Sequence, residues 1–240
     1  MVNWFRRQTQ RVVVPRLHSR DEAFANVSKV ELAELTPDLL PYLAQAAYLQ
    51  LTVFELLSAV VTEAPTASAK EAISRVAGYS LDKQHRLVAE LQRIKGTDVG
   101  DAMQPYAARI DAYRAGTRGA TWAESLTSAY VTAGLLDDFY RRVAVGLPAE
   151  ASRRVLEIYD AEDGESILVD ELRAAIETDP ELASPLALWG RRLVGDTLLI
   201  ARSALALPTD GHSEEERLEP VFTELIAAHT RRMDALGLTA

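Results

Sequence analysis

Three residues on two consecutive apolar segments have the types and spacing of metal ligands. Glu55 is the only charged residue within residues 39–61, and Asp82 and His85 stand three positions apart in the segment that follows. Residues i and i+3 share one face of a helix. An ionised carboxylate in a protein core is costly unless it is paired, protonated or bound to metal. An acid that faces an acid-x-x-His pair on the next helix is half of a di-iron carboxylate site.

The second half of such a centre would come from two later segments that are rich in acids. Asp137 and Asp138 follow the apolar residues 134–136, and Glu162 and Glu165 have the i,i+3 spacing, with glutamate where histidine is usual. Carboxylates and imidazoles are the ligands of non-haem iron. The predicted metal ligands are therefore Glu55, Asp82, His85, Asp137, Glu162 and Glu165. The predicted cofactor is a di-iron centre, with no cofactor if the site is degenerate.

Each of these residues also has an interpretation without metal. The alternatives are a hydrogen-bonded buried acid for Glu55, a solvent-facing side chain for His85, surface ion pairs with Arg141 and Arg142 for Asp137 and Asp138, and a solvated face for the acids of 160–165. The sequence leaves these alternatives open.

The elements that would position these residues are helices, since we find no alternating strand pattern. Thr36 with Pro37 predicts the start of the first helix, and Thr121 with Glu124 matches a capping box. The predicted helices cover residues 36–63, 66–95, 101–115, 121–146, 148–178 and 184–207, with a last helix from 213 or 219 to 236. Gly164 is expected to mark a kink in the fifth of these.

The lengths of the connections predict the topology. Two short turns make two antiparallel hairpins, and about 25 residues connect the hairpins, which is typical of the ferritin-like four-helix bundle with one long crossover. The predicted fold is all-α, with extra C-terminal helices. We expect an N-terminal arm at 1–30, the bundle at 31–207, and a C-terminal helix packed on or beside it at 208–240.

A weak internal repeat supports this arrangement. The sequence LVAEL at 87–91 matches LVDEL at 168–172, and the same offset aligns Asp82 with Asp163 and brings Glu55 within one position of Asp137. The repeat therefore superposes polar positions of the two hairpins.

Composition narrows the function. The 240 residues include no cysteine and carry a net charge of −9, which excludes thiolate chemistry and argues against a surface that binds nucleic acid throughout. The valine run at 12–14 is too short for a secretory signal, and polar residues interrupt 39–61, so we expect no membrane span and a cytoplasmic protein. The apolar run at 186–201 predicts a homodimer through that helix.

Longer segments carry a family resemblance. Residues 35–57 (LTPDLLPYLAQAAYLQLTVFELL), 130–148 (YVTAGLLDDFYRRVAVGLP) and 184–205 (SPLALWGRRLVGDTLLIARSAL) resemble the actinobacterial ferritin-like proteins grouped as MiaE-like, named for the tRNA 2-methylthio-isopentenyladenosine hydroxylase. The resemblance covers about residues 30 to 207 and implies a ferritin-like bundle. It also implies a non-haem di-iron monooxygenase that hydroxylates the isopentenyl group of a modified adenosine near the tRNA anticodon.

The resemblance assigns roles to individual residues. Glu55 matches the first-helix glutamate, Asp82 and His85 match the second-helix pair, and Asp137 stands approximately at the third-helix acid. Glu162 matches the acid of the fourth-helix pair, and Glu165 departs from its histidine. The implied partners are tRNA or a small apolar substrate. The alternative is a metal-free ferritin-like scaffold that acts by association.

Overall fold

Eight α-helices and no strand make up the part of the chain that the structure describes. The computed structural model describes residues 35–94, 96, 98–206 and 211–238, with the backbone alone for 211–220. The predicted arm at 1–30 lies outside the described residues. The helices are α1 Leu39–Glu63, α2 Ala67–Gln92, α3 Val99–Gly116, α4 Trp122–Val143, α5 Ala149–Tyr159, α6 Glu165–Thr178, α7 Ala183–Arg202 and α8 Gly211–Ala235. The predicted all-α bundle is confirmed.

The bundle consists of α1, α2, α4 and a fourth column shared by α5 and α6. Helix α1 packs along α2 and α4, and α6 packs on α2 and α4. The crossover helix α3 covers the outer side of α1, and α7 and α8 pack on α4. The long connection and the added C-terminal helices therefore surround the bundle on the sides of α1 and α4.

Capping residues set several helix boundaries. Thr66 accepts a hydrogen bond from the backbone N–H of Ala69 and starts α2. Thr121 and Glu124 form the predicted capping box at the start of α4. The predicted cap at Thr36 is wrong: its hydroxyl donates to the carbonyl oxygen of Val143 at 2.9 Å, and α1 begins at Leu39. Thr36 thus ties the chain to the end of α4 instead of capping its own helix.

The fourth column is two helices and not the single helix predicted for 148–178. Gly164 has a φ of +73°, which a right-handed helix cannot contain. The carboxylates of Glu162 and Asp163 accept the backbone N–H groups of Gly164 and Glu165 at 3.0 and 2.9 Å. Such local bonds compete with helical ones, so the acidic run forms a turn.

Helix α1 lies at the centre of the molecule. By length and composition it would pass for a membrane-spanning helix, but 61% of its most apolar stretch is buried against other helices. Tyr42 on this helix is fully buried, and its hydroxyl donates to the carbonyl oxygen of Tyr140 at 2.7 Å. The apolar character of α1 is therefore that of a core helix.

Replacing Gly164 by alanine should destabilise the protein. A Cβ atom at this position would lie 2.8 Å from Cγ2 of Val76 on α2, and a positive φ is strained for any L side chain. We expect a loss of about 1–3 kcal/mol in the free energy of unfolding, measured by urea denaturation. Gly78→Ala is the matched control, because its Cβ would meet nothing within 4 Å in a helix interior. That change should stabilise by about 0.5–1 kcal/mol, and equal effects at both sites would contradict this account of Gly164.

Candidate functional site

Glu55 does not lie in the core. Its side chain is 45% exposed and faces the crossover helix α3, where it lies 3.4 Å from Nε of Arg114. The expectation that Glu55 lies in the core, as a metal ligand or as a hydrogen-bonded acid, is therefore wrong. The inner face of α1 is instead the side that carries Gln50, Val53 and Leu57, all of which are buried.

Three more of the predicted ligands also point away from the bundle centre. Asp82 and His85 are exposed on α2. Glu162 is exposed in the turn before α6, where it accepts the N–H of Gly164. The structure brings together only two of the six predicted ligands, Asp137 and Glu165, which line one small cavity between α1, α2, α4 and α6.

The positions that face this cavity repeat the arrangement of a di-iron centre with different residues. Helices α1 and α4 give Gln50 and Asp137, and α2 and α6 each give a pair with i,i+3 spacing, as in di-iron carboxylate bundles. These positions carry an amide, a hydroxyl, an ammonium group, two carboxylates and an apolar side chain: Gln50, Ser80, Lys83, Asp137, Glu165 and Leu168. The predicted register was thus wrong on three of the four helices. Tyr130 on α4 and Asp163 in the turn before α6 also line the cavity.

A buried ion pair occupies the middle of this set. Nζ of Lys83 donates to Oδ2 of Asp137, and the Lys83 side chain is only 5% exposed. Nε2 of Gln50 donates to the other carboxylate oxygen, Oδ1, at 2.6 Å. Burial raises the pKa of Asp137, and the nearby Lys83 and Gln50 lower it in part. Three helices are therefore joined at one carboxylate.

Aromatic rings close one side of the ion pair. The ammonium group of Lys83 lies 5.6 Å from the ring centroid of Tyr159, which is a favourable cation–π distance. Tyr159 in turn stacks on Tyr140, with centroids 6.5 Å apart and planes 9° from parallel. Burial raises the pKa of both phenols, so both stay neutral in the fold.

A second cation reaches the site from the C-terminal helix. Arg232 on α8 donates to Oδ2 of Asp138 at 2.9 Å and lies 3.6 Å from Oε1 of Glu165. Gly134 makes room for it, because a Cβ atom there would lie 2.3 Å from Nε of Arg232. Burial raises the pKa of Glu165, and Arg232 opposes that rise. Both carboxylates retained from the predicted ligand set thus face a cation of the protein.

The residues at this centre do not fit a di-iron group. A ferritin-like pair of irons is held by four carboxylates and two histidines. The cavity instead has an ammonium group and an apolar side chain at ligand positions. Among the residues that the structure describes, no group of three or more histidine, aspartate, glutamate or cysteine side chains is arranged to hold a metal ion.

Sequence reasoning missed Gln50, Ser80 and Lys83, although the sequence contained a signal for them. The apolar residues of α2 recur at Ile73, Val76 and Leu87, and helical periodicity from these positions brings 80 and 83 to the inner face. Arg232 had no such signal, because its contact with Asp138 depends on how α8 packs on α4.

The bundle with one long crossover and ligand-like positions on four helices defines a ferritin-like protein. The chain matches the family described as the ferritin-like domain of actinomycetes over residues 33–206, and it belongs to that family. No curated protein matches the chain. Since one fold hosts many functions, membership establishes the architecture and not the activity.

Removing Lys83 should cost much of the protein's stability. Lys83→Met would leave the Asp137 carboxylate buried without its partner, which typically costs about 3–5 kcal/mol. We expect this loss in urea denaturation at pH 7. Lys70→Met, at an exposed position of the same helix, is the control and should change little. The double variant Lys83→Met/Asp137→Leu should recover most of the loss, and a neutral Lys83→Met would refute the structural role of the pair.

The loss in the free energy of unfolding caused by Lys83→Met should also depend on pH. Lys83 lowers the pKa of Asp137 in the wild type. Without Lys83, the pKa of the Asp137 carboxyl in the folded state therefore lies further above its pKa in the unfolded chain. Protonation then stabilises the folded state, and this contribution disappears as the pH rises through the folded pKa. The destabilisation relative to wild type should therefore be smaller at pH 5 than at pH 7. A loss that is constant between these two values would contradict the assignment of the effect to Asp137.

His229 on α8 predicts an acid sensitivity of its own. It is buried, neither ring nitrogen has a hydrogen-bond partner among the described residues, and burial followed by the charge of Arg232 lowers its pKa to about 4. The unfolded chain therefore takes up this proton first as the pH falls below about 6.5, and stability is lost. We expect a loss of roughly 2 kcal/mol between pH 7 and pH 5 that His229→Leu removes. A loss of the same size in His229→Leu would contradict this assignment.

Proposed function

We propose that the protein is a ferritin-like scaffold in which an ion pair replaces the metal centre and which acts by association. The observation that carries this proposal is the bond from Lys83 to Asp137 at a position where a ferritin-like centre has metal ligands. The ammonium group supplies the positive charge that iron would supply to the carboxylate. Arg232 does the same for Glu165 from outside the four bundle columns.

The size of the cavity supports this proposal. Its volume is about 20 Å³, which is room for about one water molecule. For comparison, an engineered apolar cavity that binds benzene has a volume of about 150 Å³. A branched five-carbon group therefore has no space at the bundle centre, and a binding function falls to the outer surface.

Di-iron hydroxylation of a modified adenosine in tRNA is the weaker candidate. It follows from the resemblance to the MiaE-like group, and it requires iron at a centre whose residues do not fit iron. Membership of that particular group, with tRNA or a small apolar molecule as partner, stays a prediction. Its strongest support is that Asp137 and Glu165 line the same cavity.

Iron content separates the two candidates. We expect the full-length chain, purified anaerobically with ferrous iron and analysed by elemental analysis, to hold far less than one iron per chain. Glu55→Ala should leave that value unchanged, since Glu55 lies outside the site. Two irons per chain in the wild type, with loss in Asp137→Ala, would overturn the proposal.

A gain-of-ligand variant tests whether the inward positions are the right ones. Gln50→Glu, Ser80→Glu, Lys83→His and Leu168→His together would recreate one acid on each of α1 and α4 and an acid-x-x-His pair on each of α2 and α6. We expect this variant to bind iron or cobalt in a ratio near two per chain. Lys70→His and Ser74→Glu, at exposed positions of α2, are the control and should bind none.

A further inference from the structure

We propose that the outer face of α7 pairs with the same face of a second copy of this chain, antiparallel and about a two-fold axis close to Val194. This inference rests on the proposed function by association and names its partner. Self-pairing of this kind is isologous, so each residue of the patch must meet a complement within the same patch.

The outer face of α7 carries an exposed stripe with a leucine at each end. Leu188, Arg192, Gly195 and Leu199 have the spacing i, i+4, i+7 and i+11, which puts them on one side of a helix. The leucines are 67% and 65% exposed, the highest values among the large apolar side chains that the structure describes. They lie about 16 Å apart along the helix axis. A single exposed leucine is ordinary, and these two differ in that they frame one stripe on one helix.

Among the residues that the structure describes, none packs against Gly195 at the middle of the stripe. Glycine in a helix interior costs roughly 0.5–1 kcal/mol relative to alanine. Gly190 on the same helix has an internal reason, because a Cβ atom there would lie 2.5 Å from Cε of Met233 on α8. A Cβ atom at Gly195 would meet nothing within 4 Å. The flat backbone at this point permits close approach by another helix from outside.

Charge along the stripe is self-complementary. In an antiparallel pair centred near Val194, Arg192 of one copy lies opposite Asp196 of the other, and Leu188 lies opposite Leu199. The guanidinium group of Arg192 lies 5.1 Å from the ring centroid of Trp189, which holds the charge at the surface. Each pairing occurs twice across the axis, so two ion pairs flank the central glycines.

Two grooves beside α7 match the exposed leucines. One groove of about 420 Å³ lies between α3 and α7 and is lined by Tyr113, Asp196 and Leu199. The other, of about 490 Å³, is lined by Pro185, Leu188 and Trp189 at the opposite end of α7. In the antiparallel pair, Leu188 of each copy reaches the first groove of the other copy, and Leu199 reaches the second.

Charge reversal tests the pairing with the full-length chain. In sedimentation velocity over a concentration series, we expect the wild type to dimerise and both Arg192→Asp and Asp196→Arg to weaken dimerisation at least tenfold. An equimolar mixture of the two variants should form a heterodimer, and the double variant should dimerise like the wild type. Arg75→Asp, at an exposed position of α2, is the control. A monomeric wild type, or a dimer that neither reversal weakens, would overturn the proposal.

A cross-linking experiment identifies the occupant of the face. The chain has no cysteine, so Gly195→Cys introduces a single thiol next to the two-fold axis. A short bismaleimide should cross-link this variant as a dimer and leave the exposed Ser74→Cys control monomeric. The other candidate occupant is the segment 1–34 of the same chain, because Leu35 accepts a hydrogen bond from Ala206 just beyond α7. If the chain is monomeric and the Cys introduced at position 195 does not react with maleimide, segment 1–34 covers the face. That result would overturn the proposal.

The dimerisation experiments and the iron-content experiment can fail independently of each other. A monomeric chain without iron would refute the α7 pairing and leave the metal-independent centre intact. A dimer that holds two irons per chain would do the reverse.

Discussion

The ion pair between Lys83 and Asp137 is the interaction on which the arrangement of the bundle depends. It joins α2 to α4, and Gln50 adds α1 to the same carboxylate. In a ferritin-like metal centre the irons make these connections. Here Lys83 and Gln50 make them, because an ammonium group and an amide N–H both donate to the buried carboxylate, and the ammonium group also carries the balancing charge. A buried ion pair offsets its desolvation cost only when further hydrogen bonds satisfy its other polar atoms, as Gln50 does at Oδ1 of Asp137.

The fourth column of the bundle, made of α5 and α6, shows how the structure accommodates an ion pair in place of a metal centre. Glu162 and Asp163 accept backbone N–H groups in the turn before α6, and Asp163 and Glu165 both line the cavity. Arg232 then enters beside Gly134 and pairs with Asp138 and Glu165. The C-terminal helix is therefore part of the electrostatic balance of the centre, although it is not one of the four bundle columns.

The sequence predicted the fold better than the site, and particular residues show why. Proline and capping residues such as Thr66 and Thr121 mark helix boundaries locally, so most boundaries needed no tertiary information. Which face of a helix is buried depends on its apolar periodicity. The sequence prediction instead placed the residues that could bind metal on the buried face. Asp82 and His85 have the spacing of ligands, but the apolar periodicity of α2 places Lys83 inside. Glu55 drew attention as a lone charge in an apolar helix, yet its partner Arg114 comes from α3, 59 positions further along the chain.

The most direct test of the central claim is anomalous scattering at the iron edge from crystals grown anaerobically with ferrous iron. The expected result is no anomalous peak between Gln50, Lys83, Asp137 and Glu165, with the Lys83 ammonium in contact with the Asp137 carboxylate. Two peaks about 3.5–4 Å apart at that place, with the lysine displaced, would contradict it.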